Sequence, residues 1–430
     1  MSDSIRETRP PEAGTTPADA TASRRPAGTA APATALRRLV IANALSTTGD
    51  GVRFAALPLL AAEVTGGDPL AVSVSVAAGR AAWLLAPVIG TLVDHMSRRR
   101  AMVAADLVRA AALAALFVLV LADAAPIAVI AAVAFASGVA EVFFDSAAQA
   151  AVPALAGDEA LERVNARLIA AQTVGTGFVG PPAGAALWVV WQPLPFLLNA
   201  LTFLASAVLL RGLPEPRPAA GSPSGGRLTL GVVLADTWAG LTLLARHLVL
   251  RRLVLVVALL GVAQQAVYGI LVLYVTDELG LPSSGYGWML TAAAVGSLAG
   301  AKAAARIADR LGTGGSLVLS VAVSGATYLA IAVLPVWPAL AVLLALNSAA
   351  VVLWNVVTVS LRQRLVPGDM LGRVTSGIRL AAWGVMPLGS LLGGAVADRA
   401  GLAAPWVVSG VLLLACAPLV IGLRAPRAED

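Results

Sequence analysis

Among the ionisable side chains inside long apolar runs of the sequence, where a charge is costly, five are candidates for chemistry. Asp50 and Arg53 are three positions apart, Glu141 and Asp145 are four apart, and Arg80 stands alone in a further run. Residues at these spacings share one face of a helix. Two carboxylates held close together in a low dielectric resist ionising at the same time. We therefore predict a proton-coupling or cavity site at these residues, with Asp50 and Glu141 as the proton carriers.

Other interpretations of the same charges stay open. Asp50 and Arg53 could form a purely structural ion pair, or Arg80 could be the partner of Asp50 instead. Glu141 could bind a cationic substrate. A third pair, Asp106 and Arg109, favours structural pairing within one helix.

Asp145 has two interpretations, because it lies near the end of its apolar run. It could exchange a proton with Glu141, or it could close a gate with Arg98 or Arg99, which lie within plausible reach.

The second half of the chain offers mainly uncharged groups to such a cavity. Its polar side chains within apolar runs include Gln264, Gln265, Tyr268, Asn355 and Arg379. Together with the aromatic rings of Trp83, Trp354 and Trp383, we expect these groups to line a roomy cavity.

The elements that must position these residues are membrane helices. Hydrophobic residues make up 58% and charged residues 13% of the 430 positions, whereas a soluble protein has about a quarter charged. A span needs about 20 mainly apolar residues, and we find twelve such runs. They lie near 38–62, 70–93, 101–122, 126–150, 165–190, 194–211, 252–276, 286–306, 314–335, 338–361, 373–396 and 402–423.

The chain therefore divides into two bundles of six helices. We predict a disordered cytoplasmic tail over 1–36, an N-terminal bundle over 37–211, a cytoplasmic linker over 212–247, a C-terminal bundle over 248–424 and a cytoplasmic tail over 425–430. Arginines concentrate in alternate loops, which predicts that both termini are cytoplasmic in a multi-pass protein of the plasma membrane.

Several functions are excluded or disfavoured by what the sequence lacks. One cysteine and two histidines give no metal-ligand spacing and no nucleophile with a base, so we predict no metal, no cofactor and no enzyme activity. The net charge of +6 forms no continuous basic face, so nucleic acid is not an expected partner. A receptor is disfavoured because no extramembrane piece is long enough to fold. We expect a monomer in the lipid bilayer.

A polar motif follows the second span and returns after the eighth. The first copy contains Gly90, Asp94, Arg98, Arg99 and Arg100, and the second contains Asp309 and Arg310. We expect Asp94 to cap a helix start and to hold the two halves together at the inner side, because the eleventh span begins near Gly372 and its N-terminal dipole would favour an anion there. This repeat predicts parallel six-helix halves related by an axis along the membrane normal.

The first copy resembles the signature of the major facilitator superfamily, although His95 and Ser97 differ from the usual residues. The resemblance covers about 37–424 and implies an all-α membrane protein with twelve transmembrane helices. The stretch with Gly180, Pro181 and Gly184 is similar to the fifth-helix motif of proton-driven exporters of that family, although generic small-residue packing would read the same way.

Further stretches resemble the subgroup of macrolide efflux pumps and enterobactin exporters, among them Leu57–Leu60 and Phe143–Pro153. The resemblance implies a secondary active transporter that exports a hydrophobic or amphipathic small molecule, such as a drug, antibiotic or siderophore, in exchange for protons. The alternative is an importer of a small polar nutrient with the same fold.

Overall fold

A computed structural model describes residues 33–156, 161–215, 242, 248–366, 377–378 and 380–421. These residues form helices joined by short loops, and no strand occurs among them. This confirms the predicted all-α class. Most of the predicted tail 1–36, most of the linker 212–247 and the tail 425–430 lie outside the described residues. The first helix begins at Ala33, four residues before the predicted bundle boundary.

The first half contains eight helices that account for six passes. They are α1 (Ala33–Val64), α2 (Pro69–Ala81), α3 (Ala86–Asp94), α4 (Arg98–Leu121), α5 (Ile127–Ala156), α6 (Leu161–Thr173), α7 (Gly180–Val190) and α8 (Leu194–Arg211). A 3₁₀ turn, Ala82–Leu85, joins α2 to α3, and a π-helical segment, Val174–Val179, joins α6 to α7.

The second half repeats this order. Its helices are α9 (Leu248–Leu273), α10 (Ser283–Val333), α11 (Trp337–Leu365), α12 (Met386–Ala400) and α13 (Ala404–Val420). A π-helical segment, Tyr274–Glu278, extends α9, and residues 377–378 and 380–383 are helical ahead of α12.

The helices are long and apolar enough to support the predicted passes. Nine helical stretches among the described residues meet the length and hydropathy expected of a membrane span. One of them, α10, has 51 residues and would be about 76 Å long if straight, more than twice the roughly 30 Å hydrocarbon core. It is interrupted at Gly312, whose φ is 67°, so it supplies two passes. With α1 and the 17-residue α13, the count is consistent with twelve.

The two halves pack against each other at one end of the molecule, here called the Asp68 end. Asp68 caps α2 there by accepting hydrogen bonds from two backbone N–H groups. Across the halves, α2 packs on α12 and α7 packs on α10. A Cβ on Gly394 would lie 2.6 Å from the Cβ of Ser73, and one on Gly287 would lie 2.8 Å from the carbonyl oxygen of Pro181. Small residues therefore close the Asp68 end. The opposite end carries Arg98 and is called the Arg98 end.

Candidate functional site

A continuous chain of ion pairs crosses three helices of the first half. Arg109 on α4 lies 2.5 Å from Asp106 and 2.8 Å from Asp50 on α1. Arg53, one turn after Asp50, lies 3.3 Å from it and 2.6 Å from Glu141 on α5. We call these five residues the charge network. It links a fully buried pair at one end to a partly exposed carboxylate at the other.

The buried end of the charge network is tightly enclosed. The guanidinium of Arg109 has no exposed surface and lies 4.3 Å from the ring of Phe203 and 4.9 Å from the ring of Phe144. Ser46 accepts a hydrogen bond from Arg109 at 2.8 Å and donates one to Asp106 at 3.2 Å. Arg109 thus has carboxylate partners, a hydrogen bond to a hydroxyl and two aromatic rings beside it. Such contacts offset the cost of burying a guanidinium away from water.

The open end of the charge network faces a cavity of about 190 Å³. Glu141 is 14% exposed there, and Arg53 lies beside it. The cavity is lined by both halves, with contributions from Phe54, Leu57, Pro58, Ser75, Arg80, Trp83, Thr176, Pro181, Gln265, Tyr268, Tyr286 and Leu290. Its walls are mainly apolar and aromatic, with a few charged groups, as is usual for small-molecule sites.

The structure changes the predicted partners of Asp50. The suggestion that Arg80 pairs with Asp50 is wrong, because Asp50 is held by Arg53 and Arg109. The Asp106–Arg109 pair is not an isolated structural pair, because Arg109 reaches across to Asp50. Arg80 instead faces the cavity, with its guanidinium 5.1 Å from the ring of Phe54.

The predicted second-half groups are only partly brought to this cavity. Tyr268 and Gln265 line it, whereas Gln264 is not among the lining residues. Asn355 is exposed and is not among the lining residues. Arg379 lies outside the described residues.

The tryptophans predicted for the cavity lie in different parts of the structure. Trp83 lines the cavity and meets Trp383 of the second half edge to face, with ring centroids 4.5 Å apart. Trp354 is 2% exposed and belongs to the core of the second half instead. The Trp83–Trp383 contact is therefore a bridge between the halves beside the cavity.

The polar motif at the Arg98 end lies between α3 and α4. Asp94 is the last residue of α3, and its side chain lies outside the described part of the structure. The cap of the following helix is Ser97, which accepts a hydrogen bond from the backbone of Arg100. The predicted role of Asp94 at the start of the eleventh span, near Gly372, lies outside the described residues and stays a prediction. Gly90 lies within α3 with open space around it.

Arg99 pairs with a residue that the sequence analysis missed. Its guanidinium lies 2.9 Å from Glu215, just after α8, and donates to the carbonyl of Leu213 at 3.1 Å. Ser97 also donates a hydrogen bond to Glu215. This hydrogen bond, together with the charges of Arg99 and Arg100, holds the pKa of the Glu215 carboxyl below its usual value. The ion pair seen for Arg99 is thus with Glu215 rather than with Asp145.

The other charged residues of the polar motif lie at or near the surface, and Asp145 lies on α5. Arg98 is half-buried and Arg100 is exposed, as are Asp309 and Arg310 in the second copy. Asp145 is half-buried on α5, one turn from Glu141 toward the Arg98 end. The gate and proton interpretations of Asp145 both stay predictions.

The glycines of the exporter-like motif bring α1 and the fifth pass together. A Cβ on Gly180 would lie 2.5 Å from the Cα of Gly51, and one on Gly184 would lie 2.6 Å from the carbonyl oxygen of Val52. Pro181 lines the cavity directly after the π-helical segment. Such segments interrupt regular helix and often occur at functional sites. The motif therefore packs α1, which carries Asp50 and Arg53, against the wall that faces the second half.

Two lining residues were not singled out from the sequence. Phe54 and Tyr286 line the cavity, and their only sequence signal is an aromatic side chain within an apolar run. Among the described side chains, no group of three or more His, Cys, Asp or Glu residues is placed to hold a metal ion.

Comparisons with known proteins agree with this architecture. The sequence matches the family described as Major Facilitator Superfamily over residues 39–274 and 253–430. The multidrug efflux pump Tap of Mycolicibacterium fortuitum is 28% identical over 397 residues, which cover 89% of this chain and 93% of that protein.

Two solved structures share the fold at low sequence identity. The crystal structure of the nucleoside transporter NupG aligns with a TM-score of 0.73 and 13% identity, covering 90% of this chain and 98% of that one. A bacterial homologue of the iron transporter ferroportin, in an inward-facing state, aligns with a TM-score of 0.69 and 20% identity, covering 90% and 97%.

Proposed function

The chain belongs to the major facilitator superfamily, and from that premise we propose that it is a proton-coupled exporter of a hydrophobic or amphipathic small molecule. Membership makes it a multi-pass membrane transporter rather than an enzyme. The finer claims, which are the coupling ion, the direction and the substrate, are the proposal.

The observation that carries the proposal is the position of Glu141. It lines the cavity, yet its partner is Arg53, which also contacts the buried Asp50. Protonation of Glu141 would remove the negative charge that holds Arg53 toward α5. Arg53 would then be held by Asp50 alone, and the packing between α1 and α5 would change. A proton taken from one side of the membrane can in this way favour one conformation.

The packing between the halves supports alternating access. The Asp68 end is closed by the contacts of α2 with α12 and of α7 with α10. We propose that the Arg98 end is cytoplasmic, because the loops there carry most of the arginines. In this state the substrate would enter from the cytoplasm, and rocking of one half against the other would release it outside.

The direction of transport is supported by the exporter-like motif and by the relative. Pro181 of that motif lines the cavity, and the relative from Mycolicibacterium fortuitum is named a multidrug efflux pump. The mainly apolar lining also suits an amphipathic molecule better than a small polar nutrient. An importer is therefore the weaker alternative.

Transport in liposomes tests this proposal. A compound that stabilises the purified protein against heat is first found in a library of antibiotics and siderophores. Its movement is then followed in vesicles with an imposed pH gradient. We expect accumulation against the concentration gradient in wild type and its loss in Glu141→Gln.

Two further variants make the result specific. Glu278→Gln removes an exposed carboxylate of the second half and should leave accumulation unchanged. Asp50→Asn tests the buried partner of Arg53. Equilibration that ignores the pH gradient in wild type would contradict proton coupling, and full coupling in both Glu141→Gln and Asp50→Asn would contradict the proposed proton site.

A further inference from the structure

Arg80 is the cation of the cavity that the charge network does not use. It is the penultimate residue of α2 and lines the cavity. Among the described residues, no carboxylate oxygen lies within ion-pair distance of its guanidinium, whereas Arg53 and Arg109 each have two carboxylate partners. Its close neighbour is the ring of Phe54, which covers one side of it.

Among the described residues that line the cavity, Glu141 is the one carboxylate, and it already has a partner. Glu141 lies 2.6 Å from Arg53, and Arg53 lies 4.8 Å from the same ring of Phe54. Phe54 thus contacts both guanidinium groups, while the carboxylate goes to only one of them. A guanidinium held in a mainly apolar cavity without a carboxylate is costly, so a ligand that supplies the anion would bind there favourably.

We propose that Arg80 is the binding site for an anionic group of the substrate, and that the transported molecule is an amphipathic organic anion. This inference rests on the proposed function and names its substrate class. The planar guanidinium fits a carboxylate or phosphate with two parallel hydrogen bonds. The apolar body of the molecule would lie against Trp83, Tyr268 and Tyr286, the other aromatic side chains that line the cavity.

Matched probes that differ in one charge test the proposal. The first pair is dansylglycine, an aromatic carboxylate, and dansylglycinamide, its neutral amide, followed by further acid and amide pairs with aromatic bodies. Binding to the purified protein in neutral phosphatidylcholine is measured beside transport. We expect wild type to bind acids at least about tenfold more tightly than amides, since a charged hydrogen-bonded contact is lost in the amide.

The variants separate Arg80 from a general loss of folding. Arg80→Gln should abolish the preference for acids, and Arg80→Lys should restore part of it, because the charge returns without the planar fork. Arg251→Gln, which removes an exposed arginine of α9, should keep the full preference. No acid preference in wild type across the probe pairs, or an unchanged preference in Arg80→Gln, would overturn the proposal.

The outcomes also separate this inference from the proposed function. If amides are exported with the pH gradient as well as acids, the exporter stands and the anion site falls. If acids bind through Arg80 but no probe responds to the gradient, the site stands and proton coupling falls. Phosphatidylglycerol added to the vesicles tests a lipid headgroup as the anion, because competition with the acids would show that a lipid phosphate occupies Arg80 and would overturn a soluble substrate.

Discussion

The two halves of the molecule share a helix order but differ in what they bury. The first half encloses the charge network of three carboxylates and two guanidinium groups. Among the described residues of the second half, every buried polar side chain is uncharged. There, Asn347 bonds to Thr327 at 3.2 Å, and the hydroxyl of Tyr274 donates to the carbonyl of Ile331 at 2.8 Å.

This difference indicates that the two halves have different roles at the cavity. The first half holds groups that can gain or lose a proton next to the cavity, and the second half supplies a polar but uncharged wall through Gln265, Tyr268 and Tyr286. The close packing of glycines occurs in both halves. The duplication therefore kept the packing of the helices, whereas the proposed coupling chemistry lies in one copy.

The largest effect should come from breaking the charge network at its buried end. Arg109→Leu leaves Asp50 and Asp106 without their shared partner, which should lower the free energy of unfolding by about 3–5 kcal/mol. In the second half, Asn347→Leu should cost only about 1–3 kcal/mol, because neutral partners are left unbonded. Unfolding in dodecyl sulfate measures both. An equal or smaller loss in Arg109→Leu would remove the contrast between the halves.

Glycine packing should show the opposite, an equal effect in the two halves. A Cβ on Gly184 would lie 2.6 Å from the carbonyl oxygen of Val52, and one on Gly389 would lie 2.6 Å from the carbonyl oxygen of Val262. Replacing either glycine by alanine should cost about 1–3 kcal/mol by overpacking. Gly90→Ala, in open space, should stay within about 0.5 kcal/mol. A large difference between the first two variants would show that packing also diverged.

A smaller effect is expected at the aromatic core of the second half. Tyr274 is fully buried and packs 5.2 Å from the ring of Trp406. Tyr274→Phe keeps this contact but leaves the carbonyl of Ile331 without its donor, which should cost about 1 kcal/mol. Thermal unfolding of the purified variant measures the loss. No loss would mean that the hydrogen bond contributes nothing, and the uncharged network would then not stabilise the second half.

The smallest effect concerns the Arg98 end, where Glu215 pairs with Arg99. Because the pKa of Glu215 is lowered, first by the hydrogen bond from Ser97, its contribution to stability is present above its unfolded value of about 4.5 and is lost as the pH falls through the lower folded value. Glu215→Gln should therefore melt slightly below wild type at neutral pH, and the difference should vanish in acid. A melting difference that grows in acid would contradict the lowered pKa of Glu215.

The helices could be predicted from the sequence because apolar runs of membrane length are a strong signal. Every predicted run falls on described helix, in whole or in part, and the polar motif lies between α3 and α4. The cap of α4 by Ser97 was not predicted, although a hydroxyl three residues before a backbone N–H is a common local cap.

Contacts between helices could not be predicted, because spacing along the chain gives partners only within one helix. The pairing of Arg109 with Asp50 depends on how α4 lies against α1. Gln265 rather than Gln264 faces the cavity because one residue turns the side chain by about 100° around the helix. The pairing of Arg99 with Glu215 likewise joins two segments more than a hundred residues apart.

The most direct test of the central claim asks whether Glu141 alone makes the conformation depend on protons. Cys416→Ser removes the single cysteine, and Met96→Cys and Leu311→Cys then introduce thiols for spin labels at two positions that are exposed in the two copies of the polar motif. The distance between the two labels is measured by pulsed electron paramagnetic resonance at mildly alkaline and at mildly acidic pH. We expect wild type to shift between the two conditions, and Glu141→Gln to show the acidic distribution at both. An unchanged pH response in Glu141→Gln would contradict the account.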